Sequence, residues 1–385
     1  MKLQDLAMKL ISFKTVSPED NGVMEFLEGI LQDIGFKNIL IQKFTDIDET
    51  AKDTLNMYAS LHSDVNLKNL CFAGHVDVVP AGKEYLWKFP PFEPAIEDGI
   101  LYGRGASDMK CAIACFIFAL KEALEEGLVR GNISLLLTGD EEANAINGTK
   151  KMLYEITKRG IKMDAVIVGE PTSEERLGDV IKIGRRGSIS FNLELEGVEG
   201  HIAYPHLAKN PVHEIGKLIN LLSNLKLDDG NDFFAPSSLQ VVKLEVANNA
   251  ENVIPKTASC FFNIRFNNIH TPENLKKYIQ DFIAKNTDFK FKLQVRISGD
   301  AFLTPKGEFA DLVFNAVKEV CQFEPKFSTS GGTSDARFIK DYAPVVELGV
   351  LNKTAHKTDE CVSIEDMIKL KDIYKKLIVN WGRNL

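Results

Sequence analysis

Three features of the sequence predict an α/β protein: short, uniformly apolar runs, helical segments between them, and a change near residue 187 to strictly alternating strands. The expected architecture is a mostly parallel sheet covered by helices, with a smaller α+β domain inserted. Residues 69–79, 132–138 and 164–168 are rich in Val, Ile and Leu, as strands buried on both faces are. Residues 111–126 and 149–159 carry helical spacing. Residues 188–196 then alternate apolar and polar, which suits an antiparallel strand with one wet face. A helix is expected at 211–225, alternating strands at 238–246 and 258–266, and a helix at 272–285. Around 298–305 the pattern returns to helix and buried strand, ending with the apolar run 344–351. The expected division is a larger domain of residues 1–186 and 300–385 and an insert of 187–299.

The N-terminal stretch mixes Lys2, Asp5 and Lys9 into an apolar helical pattern, unlike a secretory signal, so a cytoplasmic location is expected. Ser17-Pro18-Glu19-Asp20 is expected to open a helix, with Ser17 as cap and Pro18 in the first turn. The net charge of -8 and the lack of a basic stripe argue against nucleic acid and anionic membrane surfaces as partners. No apolar run reaches membrane-spanning length. The six cysteines form no C-x-x-C pair and read as reduced, buried small hydrophobes. A metal, if bound, must be sought among His, Asp and Glu.

Such residues recur at the ends of the expected strands, where ligands gather in open α/β sheets. His75 and Asp77 in Gly74-His75-Val76-Asp77 face the same way on an extended chain, so Asp77 can fix the His75 ring. Taken alone, that segment reads more plainly as a buried, hydrogen-bonded histidine beside a surface acid. Asp108, in Gly103-Arg104-Gly105-Ala106-Ser107-Asp108-Met109-Lys110, alone reads as an acid favoured by a helix dipole. Asp140-Glu141-Glu142 crowds three acids after a strand, either a solvated loop or a pair in which one carboxylate binds metal and the other handles a proton. Glu170 in Gly169-Glu170-Pro171 and His356 in Ala355-His356-Lys357 each follow a strand. Together, two histidines and several carboxylates give a mix that suits Zn²⁺, with Co²⁺ or Mn²⁺ also able to occupy it. A metal pair needs a bridging carboxylate and terminal ligands for each ion.

With Gly200-His201-Ile202-Ala203-Tyr204-Pro205-His206, Asn252-Val253-Ile254-Pro255, Ser330-Gly331-Gly332-Thr333-Ser334-Asp335 and His356-Lys357-Thr358-Asp359-Glu360, these segments resemble the zinc aminoacylase/carboxypeptidase family, peptidase family M20, over nearly the whole chain. The resemblance implies a cytoplasmic amide hydrolase with two Zn²⁺ per subunit, replaceable by Co²⁺, that removes a succinyl group from an amino-acid precursor of lysine. It implies His75 and Glu170 on one zinc, Glu142 and His356 on the other, Asp108 bridging, Glu141 as general acid/base and Asp77 orienting His75. It also implies that the insert pairs with its copy in a homodimer, and that His201 and Asn252 reach the partner's site. Cys111, where glycine is usual, and Ala355, where a larger apolar residue is common, depart from the family pattern.

The implied substrate carries carboxylates. Gly332 and Thr333, in a segment preceding a helix-like stretch, offer backbone N–H groups to one, and Arg265 offers a bidentate pair. A flexible loop and a surface arginine are the plainer readings of these residues. Tyr204 is a further candidate contact, and Arg185 and Arg186 read as structural. His62, His206, His213 and His270 are expected to bind no metal. Competing readings are an acetylornithine deacetylase or dipeptidase of the same family, and a non-catalytic binding module on the same fold.

Overall fold

The structure is a computed structural model and describes residues 1–45, 52–62, 66–248 and 250–382. The chain forms two compact units, one of Met1–Ile183, Thr304–Ser328 and Ser334–Leu385, the other of Gly184–Leu303 and Thr329–Thr333. The return of residues 329–333 to the smaller unit is invisible in the sequence, because five residues carry no periodicity of their own.

An eight-stranded sheet organises the larger unit. Its centre is four parallel strands in the order Asn132–Thr138, Asn69–His75, Ala165–Val168 and Val345–Glu347. All four are buried along their whole length, which is why their sequences are apolar without alternation. Antiparallel strands Thr54–Ser60 and Asn38–Phe44 extend one side. On the other side Val180–Lys182 runs antiparallel to the centre and pairs in parallel with Lys326–Ser328. In the parallel register His75 lies beside Thr138, while Val168 lies beside Ala73 and Glu347. The chemistry-bearing residues that follow these strands therefore emerge at one end of the sheet.

Cys111–Glu125 is apolar around most of its circumference because it is enclosed, with Ile364–Asn380 packed against it. Phe72 stacks on Phe116 at 4.5 Å between ring centres, and Tyr374 meets Phe72 edge-on at 5.7 Å. Cys111, the first residue of this helix, is fully buried.

Two expectations for this unit need correction. The run 69–79 is a strand only to His75; Val76 still donates its N–H to Thr138 O, but Val78 turns to the N-terminal segment and donates its N–H to Thr15 O. Nor does Ser17 cap a helix. The Ser17 N–H is taken by Val78 O, and the following helix, Val23–Asp33, starts after Gly22 with Asp20 accepting from Gly22 N and Met24 N.

In the smaller unit, a four-stranded antiparallel sheet runs Ser238–Glu245, Thr257–Phe266, Gly187–Glu196 and Lys290–Gly299. Helices Pro211–Ser223 and Pro272–Asn286 bury Ile215, Leu218, Leu222, Leu275, Ile279 and Ile283 with the sheet's inner face. Both helices start with proline in the first turn after a side-chain cap, Asn210 and Thr271 respectively. Cys71, Cys111, Cys115 and Cys260 are buried, and all six cysteines are unpaired.

We predict that Phe72→Ala costs about 3–5 kcal/mol, read as a lower urea midpoint, because the ring is enclosed by two others directly beneath the strand ends.

Candidate metal centre

His75 is the last residue of its strand, and Glu170 stands two residues beyond Val168. Each follows a glycine for the same steric reason. A Cβ on Gly74 or Gly169 would lie 2.6 Å from Met109 Cε, so the methionine side chain is wedged beside both strand ends. Met109 Sδ also accepts from the His75 N–H at 3.4 Å. Since Met109 follows Asp108 directly, the wedge sets that carboxylate between the two strands' ends.

The carboxylate of Asp108 spans two imidazoles. Its Oδ1 lies 3.0 Å from His75 Nε2, and its Oδ2 lies 3.2 Å from His356 Nε2. Glu170 Oε1 is 3.8 Å from His75 Nε2, and Glu142 Oε1 is 2.9 Å from His356 Nε2. Two ligand groups result, His75–Asp108–Glu170 and Asp108–Glu142–His356, in each of which one donor atom per residue lies within 4.8 Å of the others. The structure thus brings together all five residues expected to bind metal, with Asp108 common to both groups.

Asp77 has a different task from the one expected. His75 Nδ1 is hydrogen-bonded to the Asp77 main-chain oxygen at 2.9 Å, and the nearest carboxylate oxygen is 3.7 Å away. That carboxylate accepts instead from Glu141 N at 3.2 Å and Glu142 N at 3.0 Å. Asp140 braces the same turn by accepting from the N–H groups of Ala145, Ile146 and Asn147. Asp77 therefore positions the acidic turn, while His75 is oriented by main chain. Glu141 belongs to neither ligand group.

The electrostatics express an excess of buried negative charge. Burial pushes Glu170 well above the ordinary carboxylate range, with Asp108 and Glu141 adding to the effect. Glu141 is likewise raised by burial, and then by Asp335 and Glu142. Asp77 is pushed up to about 6 by burial. Burial also acts to raise Asp108, but hydrogen bonds from His356 and His75 outweigh it and hold the carboxyl low. His356 is raised to about 10 by its bonds to Asp108 and Glu142. His75 is raised too, since Asp108, Glu170 and Asp77 overcome the effect of burial. Three carboxylates and two imidazoles held this close together fit divalent cations, which would neutralise the buried negative charge.

In the smaller unit, Gly200–His201 pairs with Val253–Ile254, which brings His201 beside Asn252. Ile202 N donates to Asn252 O at 3.1 Å, Tyr204 N donates to His201 O at 2.8 Å, and the His201 and Tyr204 rings are 5.7 Å apart. His201, Tyr204 and Asn252 are all exposed. Arg265 is half-buried on the strand Thr257–Phe266, opposite Ser188 and Ser238. Gly332 and Thr333 lie in the segment Thr329–Thr333. Arg185 Nη1 approaches Gly332 O at 3.3 Å and so supports that loop, in keeping with a structural part. The helix expected to follow is one turn, Ala336–Ile339, too short to carry a helix-terminus anion site. His270 bonds Asp228 at 3.0 Å, and His62, His206 and His213 belong to neither ligand group.

Two residues that frame the centre carried no distinct sign in the sequence. Arg104 and Glu360 form a buried ion pair at 2.7 Å behind Asp108. Both lie within the segments that resemble the family, but a charge 256 residues away in sequence gives neither one a visible partner.

Residues 71–380 match peptidase family M20/M25/M40, and the chain belongs to that family. Among similar proteins, the succinyl-diaminopimelate desuccinylase of Rickettsia felis is 47% identical over 376 residues, covering 96% of this chain and 97% of the relative. That of Ehrlichia chaffeensis is 45% identical over 375 residues, covering 97% and 96%. The fold is shared with an M20 family metallo-carboxypeptidase from Sulfolobus solfataricus, with a TM-score of 0.82 at 18% identity over 99% of each chain. A dinuclear metal binding peptidase of the M20 family from Bacillus subtilis superposes with a TM-score of 0.69 at 12% identity, covering 98% of this chain and 96% of its own.

Proposed function

We propose that the protein is a cytoplasmic succinyl-diaminopimelate desuccinylase, which hydrolyses N-succinyl-LL-2,6-diaminopimelate to LL-2,6-diaminopimelate and succinate in lysine biosynthesis. The observation that carries the reading is a pair of ligand groups sharing Asp108, with Glu141 beside them but in neither, in a chain 45–47% identical to desuccinylases over nearly its full length. His75, Asp108 and Glu170 would hold one Zn²⁺, and Asp108, Glu142 and His356 the other. The cytoplasmic assignment is supported by six unpaired cysteines and by the lack, among the described residues, of a helix long and apolar enough to cross a membrane.

Bound Zn²⁺, or Co²⁺ in its place, supplies Lewis acidity that polarises the amide carbonyl and makes water nucleophilic near neutral pH. Glu141 takes the proton from the attacking water and returns it to the leaving nitrogen as the C–N bond breaks. Asp77 holds the Glu141 and Glu142 main chain, so the proton carrier and a metal ligand keep a fixed spacing. His201 donates to the carbonyl oxygen as negative charge develops there. Arg265 pairs with a substrate carboxylate, Gly332 and Thr333 offer N–H groups to another, and Tyr204 and Asn252 complete the contacts.

The working form is a homodimer in which the partner subunit supplies His201 and Asn252. The two edges of the smaller unit's sheet support this. Lys290–Gly299 carries Lys290, Lys292 and Arg296 outward, charges that discourage strand pairing. Ser238–Glu245 exposes Val242 and Leu244, at 63% and 54%. Paired edges of this kind would continue the sheet into a second copy.

Three outcomes test the proposal. Succinylated diaminopimelate should be turned over in strong preference to acetylornithine; dominant acetylornithine activity overturns the substrate assignment. Glu141→Ala should retain both metal ions and lose about 10²–10⁴-fold in kcat. In sedimentation, replacing Val242 and Leu244 by Lys should convert a dimer of 42.9 kDa chains to monomer.

A further inference from the structure

The loop that carries Asp108 and the loop that carries His356 meet on one buried carboxylate, Glu360. Its Oε1 accepts from Ser107 N at 2.8 Å and Asp108 N at 2.9 Å. Its Oε2 accepts from Gly105 N at 3.0 Å and Arg104 Nη1 at 2.7 Å. Four donors use the full capacity of the carboxylate, and Glu360 has no exposed surface. The Glu360 main-chain oxygen adds a bond from Gly103 N at 2.9 Å. Arg104 then reaches the other loop, where Nη1 donates to Lys357 O at 3.2 Å, one residue after His356. Its guanidinium lies 4.9 Å from the Trp87 ring, which helps to fix its plane.

The remaining ligands are anchored by other means. His75 and Glu170 stand at strand ends, and the Glu142 main chain is held by Asp77. His356 sits on a loop in left-handed conformation, φ 62°, with half of its side chain exposed. Asp108 and His356 need a common reference, and the Arg104–Glu360 pair provides one.

We propose that this pair is a positioning clamp that sets the spacing of Asp108 and His356, and so selectively builds the Asp108–Glu142–His356 pocket. The inference rests on the two-metal reading. That pocket has two of its three ligands on the clamped loops, whereas His75–Asp108–Glu170 has one. Glu360→Gln keeps the shape but presents an amide N–H₂ where two donors need an acceptor, and it leaves Arg104 without its anion.

The test uses the full chain, stripped of metal and titrated with Co²⁺ by calorimetry and visible absorption. Glu142→Ala and Glu170→Ala serve as references for loss of either pocket. Glu360→Gln should weaken the ion of the Glu142–His356 pocket about 10–100-fold and the other ion less than about tenfold. Arg104→Lys, which keeps the charge beside Glu360 but loses the fork to Lys357 O, should show the same selectivity to a smaller degree, and it decides the matter if Glu360→Gln does not fold. Wild-type affinity at both pockets, or equal loss at both, overturns the clamp. Wild-type protein that binds fewer than two ions overturns the two-metal reading and the clamp with it.

Discussion

The larger unit is organised around one carboxylate held between two imidazoles. Asp108 contacts His75 and His356 through different oxygens, and each imidazole is joined by a further carboxylate, Glu170 or Glu142. Without counter-charge this arrangement is costly, since burial raises Glu170 and Glu141 while Asp108 stays ionised. The surrounding fold can be understood as the structure needed to keep these like charges together. The strands bring the ends close, the glycines admit Met109, and the buried partners Asp77 and Glu360 use their own oxygens to hold backbone N–H groups.

The two supporting acids illustrate a common principle. Neither Asp77 nor Glu360 lies in a ligand group; each binds the main chain of residues that do, or of their neighbours. Fixing main chain restricts a side chain's position without changing the side chain itself. Glu141 and Asp108 can thus keep their side chains free for chemistry while their placement is set by groups behind them.

The parallel centre of the sheet was legible because strands buried on both faces must be apolar throughout, and residues 132–138 show this without ambiguity. The alternation at 188–196 was equally direct, since an antiparallel strand with one wet face has little freedom in its pattern. The five residues expected to bind metal were legible by type and by their place after strands, and the structure gathers them. What was hidden depended on contacts distant in sequence. Ser17 matched a helix cap locally, but its backbone pairs with Val78 and the helix begins only after Gly22. Asp77 was placed correctly, yet its direction was not, because the N–H groups it accepts belong to residues 64 and 65 positions away. The bond from Arg104 to Glu360 left no periodic trace at all.

The short segment Thr329–Thr333 has a consequence for how this chain can be divided. It belongs to the smaller unit, so the polypeptide passes between the two units four times rather than twice. Thr329 Oγ1 donates to Phe233 O, and Arg185 reaches the main chain at Ser330 and Gly332, so the segment is stitched to both the start and the middle of the insert. Excising residues 184–303 as a cassette would strand five residues whose partners had gone. An exchange of inserts between relatives must carry two separate pieces of sequence, and the loop bearing Gly332 and Thr333 has to be inherited together with the strands that support it.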